Sequence, residues 1–205
     1  AAASTEENTA GVVYTAAATD PEGDTVTYSL SGDDAGQFSI DANTGEVSFV
    51  SAPDFENPGD ADGDNEYQIT VTASDGTNSS SQDVTITVTD ANESAPVFTS
   101  ATNVGVSENY TGLVYRPAAT DADTGSTVTY ELLATGDAAD FVFNASTNRL
   151  EFRDPPNFEA PVDGNGDNTY EVTFRASDGE LTTDITVTIN VGDVNESPSL
   201  TSGTS

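Results

Sequence analysis

Acidic side chains in this chain fall into short phrases, and the whole set of phrases occurs twice. The first set is Glu7-Asn8, Asp20-Pro21-Glu22-Gly23, Asp54-Phe55-Glu56, Ala73-Ser74-Asp75-Gly76 and Asp90-Ala91-Asn92-Glu93. The second is Glu108-Asn109, Asp121-Ala122-Asp123, Asn157-Phe158-Glu159, Ala176-Ser177-Asp178-Gly179 and Asp193-Val194-Asn195-Glu196. Oxygen donors in clusters are what a hard cation such as calcium requires. Catalysis is poorly provided for. His, Cys and Lys are absent, which removes the usual bases and nucleophiles. A carboxylate pair for glycoside hydrolysis would have to exist in duplicate, because the candidate pairs are the repeated ones. The chain is therefore expected not to be an enzyme.

Charge narrows the partners. Thirty-six Asp and Glu face 4 Arg, a formal net charge of −32. The four are Arg116, Arg149, Arg153 and Arg175, so the first half has no cation among its side chains. Such a surface repels nucleic acid and anionic lipid, and repels itself unless cations screen it. No run of 18 apolar residues occurs, and no direct membrane insertion is expected. No cysteine is present to staple the fold. The sequence has neither a signal peptide nor an initiating Met, which suggests a piece of something longer.

The carboxylates must be positioned by strands. Apolar residues alternate in Val26, Tyr28, Leu30, in Ile69, Val71, Ala73 and in Val84, Ile86, Val88. The second half repeats this in Val128, Tyr130, Leu132, in Val172, Phe174, Ala176 and in Ile185, Val187, Ile189. A period of two belongs to half-buried strands. Shorter strands are predicted at 38–40, 46–49, 141–143 and 150–152, separated by turn phrases such as Asp41-Ala42-Asn43-Thr44-Gly45. The repeat length is roughly 100 residues, enough for a core in each copy. The reading is all-β: two tandem seven-stranded, antiparallel Greek-key sandwiches of immunoglobulin-like architecture. The predicted limits are 1–93 and 94–196, with 197–205 the start of a further linker or a tail.

The phrases resemble the cadherin repeat over nearly the whole chain. The resemblance rests on Phe38-Ser39-Ile40-Asp41-Ala42-Asn43-Thr44-Gly45, on Asp90-Ala91-Asn92-Glu93-Ser94-Ala95-Pro96-Val97-Phe98, and on the order of the acidic phrases. It implies a linker that holds three calcium ions. The first module would supply Glu7, Asp54 and Glu56. The linker would supply Asp90, Asn92 and Glu93, and the second module Asp121, Asp123 and Asp178. It likewise implies half-sites at Asp20, Glu22 and Asp75, and at Glu108, Glu159, Asp193, Asn195 and Glu196. Some residues depart from the family pattern: Glu93 for the usual Asp, Glu22 where the second copy has Asp123, and Asn157 where the first has Asp54.

Each copy also carries an insertion, Asp60-Ala61-Asp62-Gly63-Asp64-Asn65 and Asp163-Gly164-Asn165-Gly166-Asp167-Asn168. The first, third and fifth positions mimic an EF-hand loop. Position six is Asn rather than Gly, and position twelve is Val71 or Phe174 rather than Glu, so it is no EF-hand. Cation binding and Asx turns that bond their own backbone both fit the loop. The insertion resembles cadherin-like repeats of large bacterial surface adhesins. The expected role is a calcium-rigidified adhesion or spacer module at the cell surface, with a homophilic, cell-surface protein or glycan partner. The alternative is a carbohydrate-binding module, for which the absence of Trp is unfavourable.

Overall fold

The computed structural model describes residues 1–198. Most of the expected linker or tail at 197–205 therefore lies outside the described residues. The chain divides into two compact units, Ala1–Ala91 and Asn92–Ser205. Among the described residues, helical geometry is limited to two 3-10 turns, Ala35–Gln37 and Ala138–Asp140. The rest is strand and loop, and each unit is a β-sandwich.

The first unit has seven strands: β1 Ala2–Glu6, β2 Val12–Thr15, β3 Thr27–Ser31, β4 Phe38–Ile40, β5 Glu46–Phe49, β6 Glu66–Ser74 and β7 Ser79–Thr89. One sheet runs β1-β7-β6-β3 and the other β2-β5-β4. Alternation decides which residues go inside. Tyr67, Ile69 and Val71 of β6 and Val84, Ile86 and Val88 of β7 are buried, while their Thr, Gln and Glu neighbours face outward or stay half-covered. Against them, β4 and β5 set Phe38, Val47 and Phe49. The Phe38 and Phe49 rings lie 4.3 Å apart, and both meet Tyr67 edge-on, at 5.7 and 5.1 Å. The turn at 41–45 depends on Gly45. Its φ of +73° suits glycine, and a Cβ there would stand 2.5 Å from the Ala16 carbonyl oxygen.

The second unit repeats the plan with β8 Val97–Phe98, β9 Asn103–Ser107, β10 Ala119–Thr120, β11 Thr129–Leu132, β12 Phe141–Asn144, β13 Arg149–Phe152, β14 Thr169–Ser177 and β15 Thr182–Gly192. Its main sheet is β11-β14-β15-β9, faced by β12-β13, with β8 paired to β10. The counterpart of β2 shrinks to a single bridge between Tyr115 and Leu150. The aromatic trio recurs as Phe141, Phe152 and Tyr170, with centroids 4.5, 5.7 and 5.3 Å apart.

Each sandwich departs from the antiparallel expectation in one pairing. β1 runs parallel to β7, from Ala2↔Thr85 to Glu6↔Thr89, and β9 runs parallel to β15, from Asn103↔Thr188 to Ser107↔Gly192. Sequence alternation carries no direction, so this was not visible in it. The pairing matters for the acids. Two parallel strands finish at the same end, so the residues just past them arrive side by side. Here that end is called trailing, and the opposite end of each unit leading.

Candidate metal centre

At the trailing end of the first unit, Glu7 follows β1 and Asp90 follows β7. The Glu7 amide continues the ladder by donating to the Thr89 carbonyl at 3.0 Å. Its side chain turns inward and is 2 % exposed. Oε1 accepts from the Ala91 amide at 2.9 Å and Oε2 from the Phe55 amide at 2.7 Å. One carboxylate thus ties the end of β1, the chain leaving β7 and the β5–β6 connection into one knot. Glu7, Asp54 and Glu56 each bring an oxygen within 4.8 Å of the others. Desolvation, reinforced by the neighbouring Asp90 and Glu7 carboxylates, pushes the Glu56 carboxyl up to about 7.

The second unit reproduces the knot. Glu108 is 3 % exposed; Oε2 accepts from the Phe158 amide at 3.0 Å and Oε1 from the Val194 amide at 2.8 Å. These two amides hold its carboxyl below the usual value. Glu108, Glu159 and Asp193 converge within 4.8 Å. Asn109 donates from Nδ2 to Glu196 Oε1 at 3.1 Å, and Asn195 lies exposed in the same segment. Asn157 keeps the structural part of the Asp54 role: its Oδ1 caps the Ala160 amide at 3.0 Å, as Asp54 Oδ1 caps Asn57 at 3.0 Å.

The leading end of the second unit is built from the β10–β11 loop, the β14–β15 turn and the chain entering β8. Asp121 Oδ1 accepts from the Asp123 amide at 3.0 Å. Asp123 is 5 % exposed, and its Oδ2 accepts from the amides of Glu93 and Ser94, both at 3.1 Å. Asp178 Oδ1 accepts from Glu180 and Leu181, both at 2.7 Å. Burial opposes ionisation of Asp178, but those amides and the Asn92 side chain hold its carboxyl below the usual value. Each aspartate therefore spends one oxygen on the backbone. The other oxygens, Asp121 Oδ2, Asp123 Oδ1 and Asp178 Oδ2, are buried without a hydrogen-bond partner. Each of the three carboxylates brings an oxygen within 4.8 Å of the others. Buried polar atoms are normally satisfied, and unsatisfied ones cost free energy. Three anionic oxygens so arranged fit a hard cation with oxygen ligands.

The leading end of the first unit differs. Asp20 Oδ1 takes the amides of Glu22 and Asp24 at 2.9 and 3.0 Å, and Asp75 Oδ1 takes those of Asn78 and Thr77, both at 2.6 Å. Asp20 and Asp75 line one depression, and Glu22 is exposed. Among the described residues these three do not form a convergent group.

Two supporting residues escaped the sequence reading. Asp34 binds the Ala61 and Gln68 amides at 2.7 and 2.6 Å, and Asp137 binds those of Gly164 and Glu171, both at 2.8 Å. They anchor the inserted loops. Their recurrence at the repeat spacing was the available signal.

A family model for the Cadherin domain matches residues 1–89. The chain is 32 % identical over 208 residues to Cadherin-related family member 1 of Rattus norvegicus, covering 94 % of this chain and 23 % of that protein. It spans less than a quarter of the length of each curated relative named in these comparisons. Among solved structures it resembles human Protocadherin-24 EC1-2, with a TM-score of 0.76 and 23 % identity over 95 % of this chain and 94 % of that one. Mouse Cadherin-23 EC22-24 gives a TM-score of 0.77 at 23 % identity, over 94 % and 63 % of the two chains. These relatives are animal proteins, so the bacterial origin implied by the inserted loops' resemblance gains no support from them.

Proposed function

Residues 1–89 belong to the cadherin domain family, and from that premise we propose that the chain is a calcium-binding extracellular adhesion or spacer module of a larger surface protein. The observation that carries this reading is the set of three buried, unpartnered oxygens on Asp121, Asp123 and Asp178. Bound calcium supplies compact positive charge for such oxygens. The chain restrains them: backbone amides fix one oxygen of each aspartate and leave the other for an ion. At the trailing ends Glu7 and Glu108 have both oxygens on backbone amides and order the segments that carry Asp54 and Glu56, and Glu159 and Asp193. The proposed repeats are 1–93 and 94–196. Ions held through Asp90, Asn92 and Glu93 restrain the short, Pro-containing segment that joins them. The partner is a second copy, or a cell-surface protein or glycan. A carbohydrate platform is the weaker reading, because Tyr110 is the one exposed aromatic among the described residues.

Calorimetric titration of chelated protein with calcium tests the proposal. Binding heat is expected, with a melting temperature raised by calcium. A ligand specific to the native state adds about 2.7 kcal/mol at 100-fold excess over Kd. No heat, and a melting temperature indifferent to chelator, would remove the reading. Small-angle scattering tests the restraint on the joining segment: identical profiles with and without chelator would sink the spacer role.

A further inference from the structure

The trailing and leading ends do not use the inserted loops, yet these loops carry their own charge. Asp60, Asp62 and Asp64 each place an oxygen within 4.8 Å of the other two. Oxygens on one calcium ion lie 2.3–2.6 Å from it, so they stand no more than about 5 Å apart. Asp60 Oδ2 is occupied by the Asp64 amide at 2.8 Å, while Asp60 Oδ1 is buried without a partner. A separate observation comes from the other copy. Asp163 is only 6 % exposed; its Oδ2 accepts from the Asp167 amide at 2.9 Å, and its Oδ1 is again buried without a partner. The Asx-turn explanation accounts for the Oδ2 contacts in both loops. It leaves the same oxygen of the same position unsatisfied twice, once on a carboxylate more than nine-tenths buried. A buried carboxylate oxygen facing no donor is what a bound cation would satisfy.

We propose that each inserted loop is a calcium site of its own, in which Asp60, Asp62 and Asp64, and Asp163, Asn165 and Asp167, supply the oxygens. The two sites differ in strength. The first offers three carboxylates. The second offers two and an amide, and its oxygens are already engaged: Asn165 Oδ1 accepts from the Asp167 amide at 3.2 Å, and Asp167 accepts from the Thr169 amide through Oδ1 at 2.8 Å and from Asn165 Nδ2 through Oδ2 at 3.0 Å, so an ion there must compete with those bonds. Ligand charge tunes calcium affinity, which ranks the first loop above the second. Asp34 and Asp137 hold the loops through backbone amides and act as positioning residues.

The test is calcium titration of the 15N-labelled chain at constant ionic strength, followed by amide NMR. The amides of Gly63 and Asp64 are expected to shift with calcium, and those of Gly166 and Asp167 at higher calcium. Glu180 and Leu181 report the leading-end cluster independently. If Glu180 and Leu181 shift while the loop amides stay still, this proposal is wrong and the previous one stands. If the loop amides shift and Glu180 and Leu181 do not, the reverse holds; if none shifts, both fall. Asp62 is exposed, so Asp62→Asn leaves the fold intact. It should weaken the Gly63 response by about tenfold or more, the scale of one lost charge beside a cation, without altering Glu180. An unchanged Gly63 titration in that variant overturns the assignment.

Discussion

The trailing ends of the two units agree nearly bond for bond, whereas the leading ends do not. Glu7 and Glu108 make the same pair of backbone contacts at distances that agree to within 0.3 Å. At the leading ends, Asp121, Asp123 and Asp178 converge, while Asp20, Glu22 and Asp75 remain separate. The cause lies in what holds the third acid. Asp123 is fixed by the amides of Glu93 and Ser94, which belong to the chain running into β8. Glu22, at the matching place in the first unit, is exposed and belongs to no convergent group among the described residues. A trailing end is thus completed by its own unit's strands, but a leading end needs the incoming segment as well.

The largest expected effect tests the sameness of the trailing ends. Glu7→Ala removes an acceptor of two backbone amides inside a buried knot. Each unit's own transition in chelator should fall by about 10 °C for Glu7→Ala and Glu108→Ala alike, since bonds to charged groups are among the strongest. Calorimetry of both variants checks it; a large loss in one and none in the other would break the equivalence. A smaller effect separates the leading ends. Asp123→Ala should weaken calcium binding by about tenfold, whereas Asp20→Ala should change it less than about twofold. Equal losses would mean the two leading ends work alike after all.

The smallest effect is on pH. The Glu56 carboxyl is raised in the folded state from 4.5 to about 7. Its contribution to stability is fully present below 4.5 and is lost as pH rises through about 7. In chelator, lowering the pH from 8 to 5 should therefore raise the first unit's melting temperature. Calcium should reverse the trend, because the ligand form is the carboxylate. A chelated melting temperature that falls steadily over that range would contradict the raised carboxyl.

Much of this architecture was legible in the residues. Strands 38–40 and 46–49 occur at the predicted limits, because flanking turn phrases bound their alternation. The acidic phrases pointed to the converging groups because a β-sandwich brings its loops together at two ends. Other features had no local signal. β1 and β7 pair across some eighty residues of sequence, in a direction that alternation does not encode. Asp34 and Asp137 look like ordinary turn acids until their amide partners are seen. The gap between the leading ends was masked because Asp20 and Asp121 stand in similar phrases. What separates them is backbone donors supplied from elsewhere in the chain.

The parallel seam of β1 against β7 has a mechanical consequence. The chain enters the first unit along β1 from the leading end and departs along β7 at the trailing end. Tension on the polypeptide therefore drags the two strands past each other lengthwise, rather than peeling them open from a tip. The paired residues from Ala2↔Thr85 to Glu6↔Thr89 share the load together, as do those from Asn103↔Thr188 to Ser107↔Gly192. Glu7 and Glu108 latch each seam at its trailing end, so slippage has to tear the latch as well as the ladder. A module wired in this way resists pulling applied along its strands.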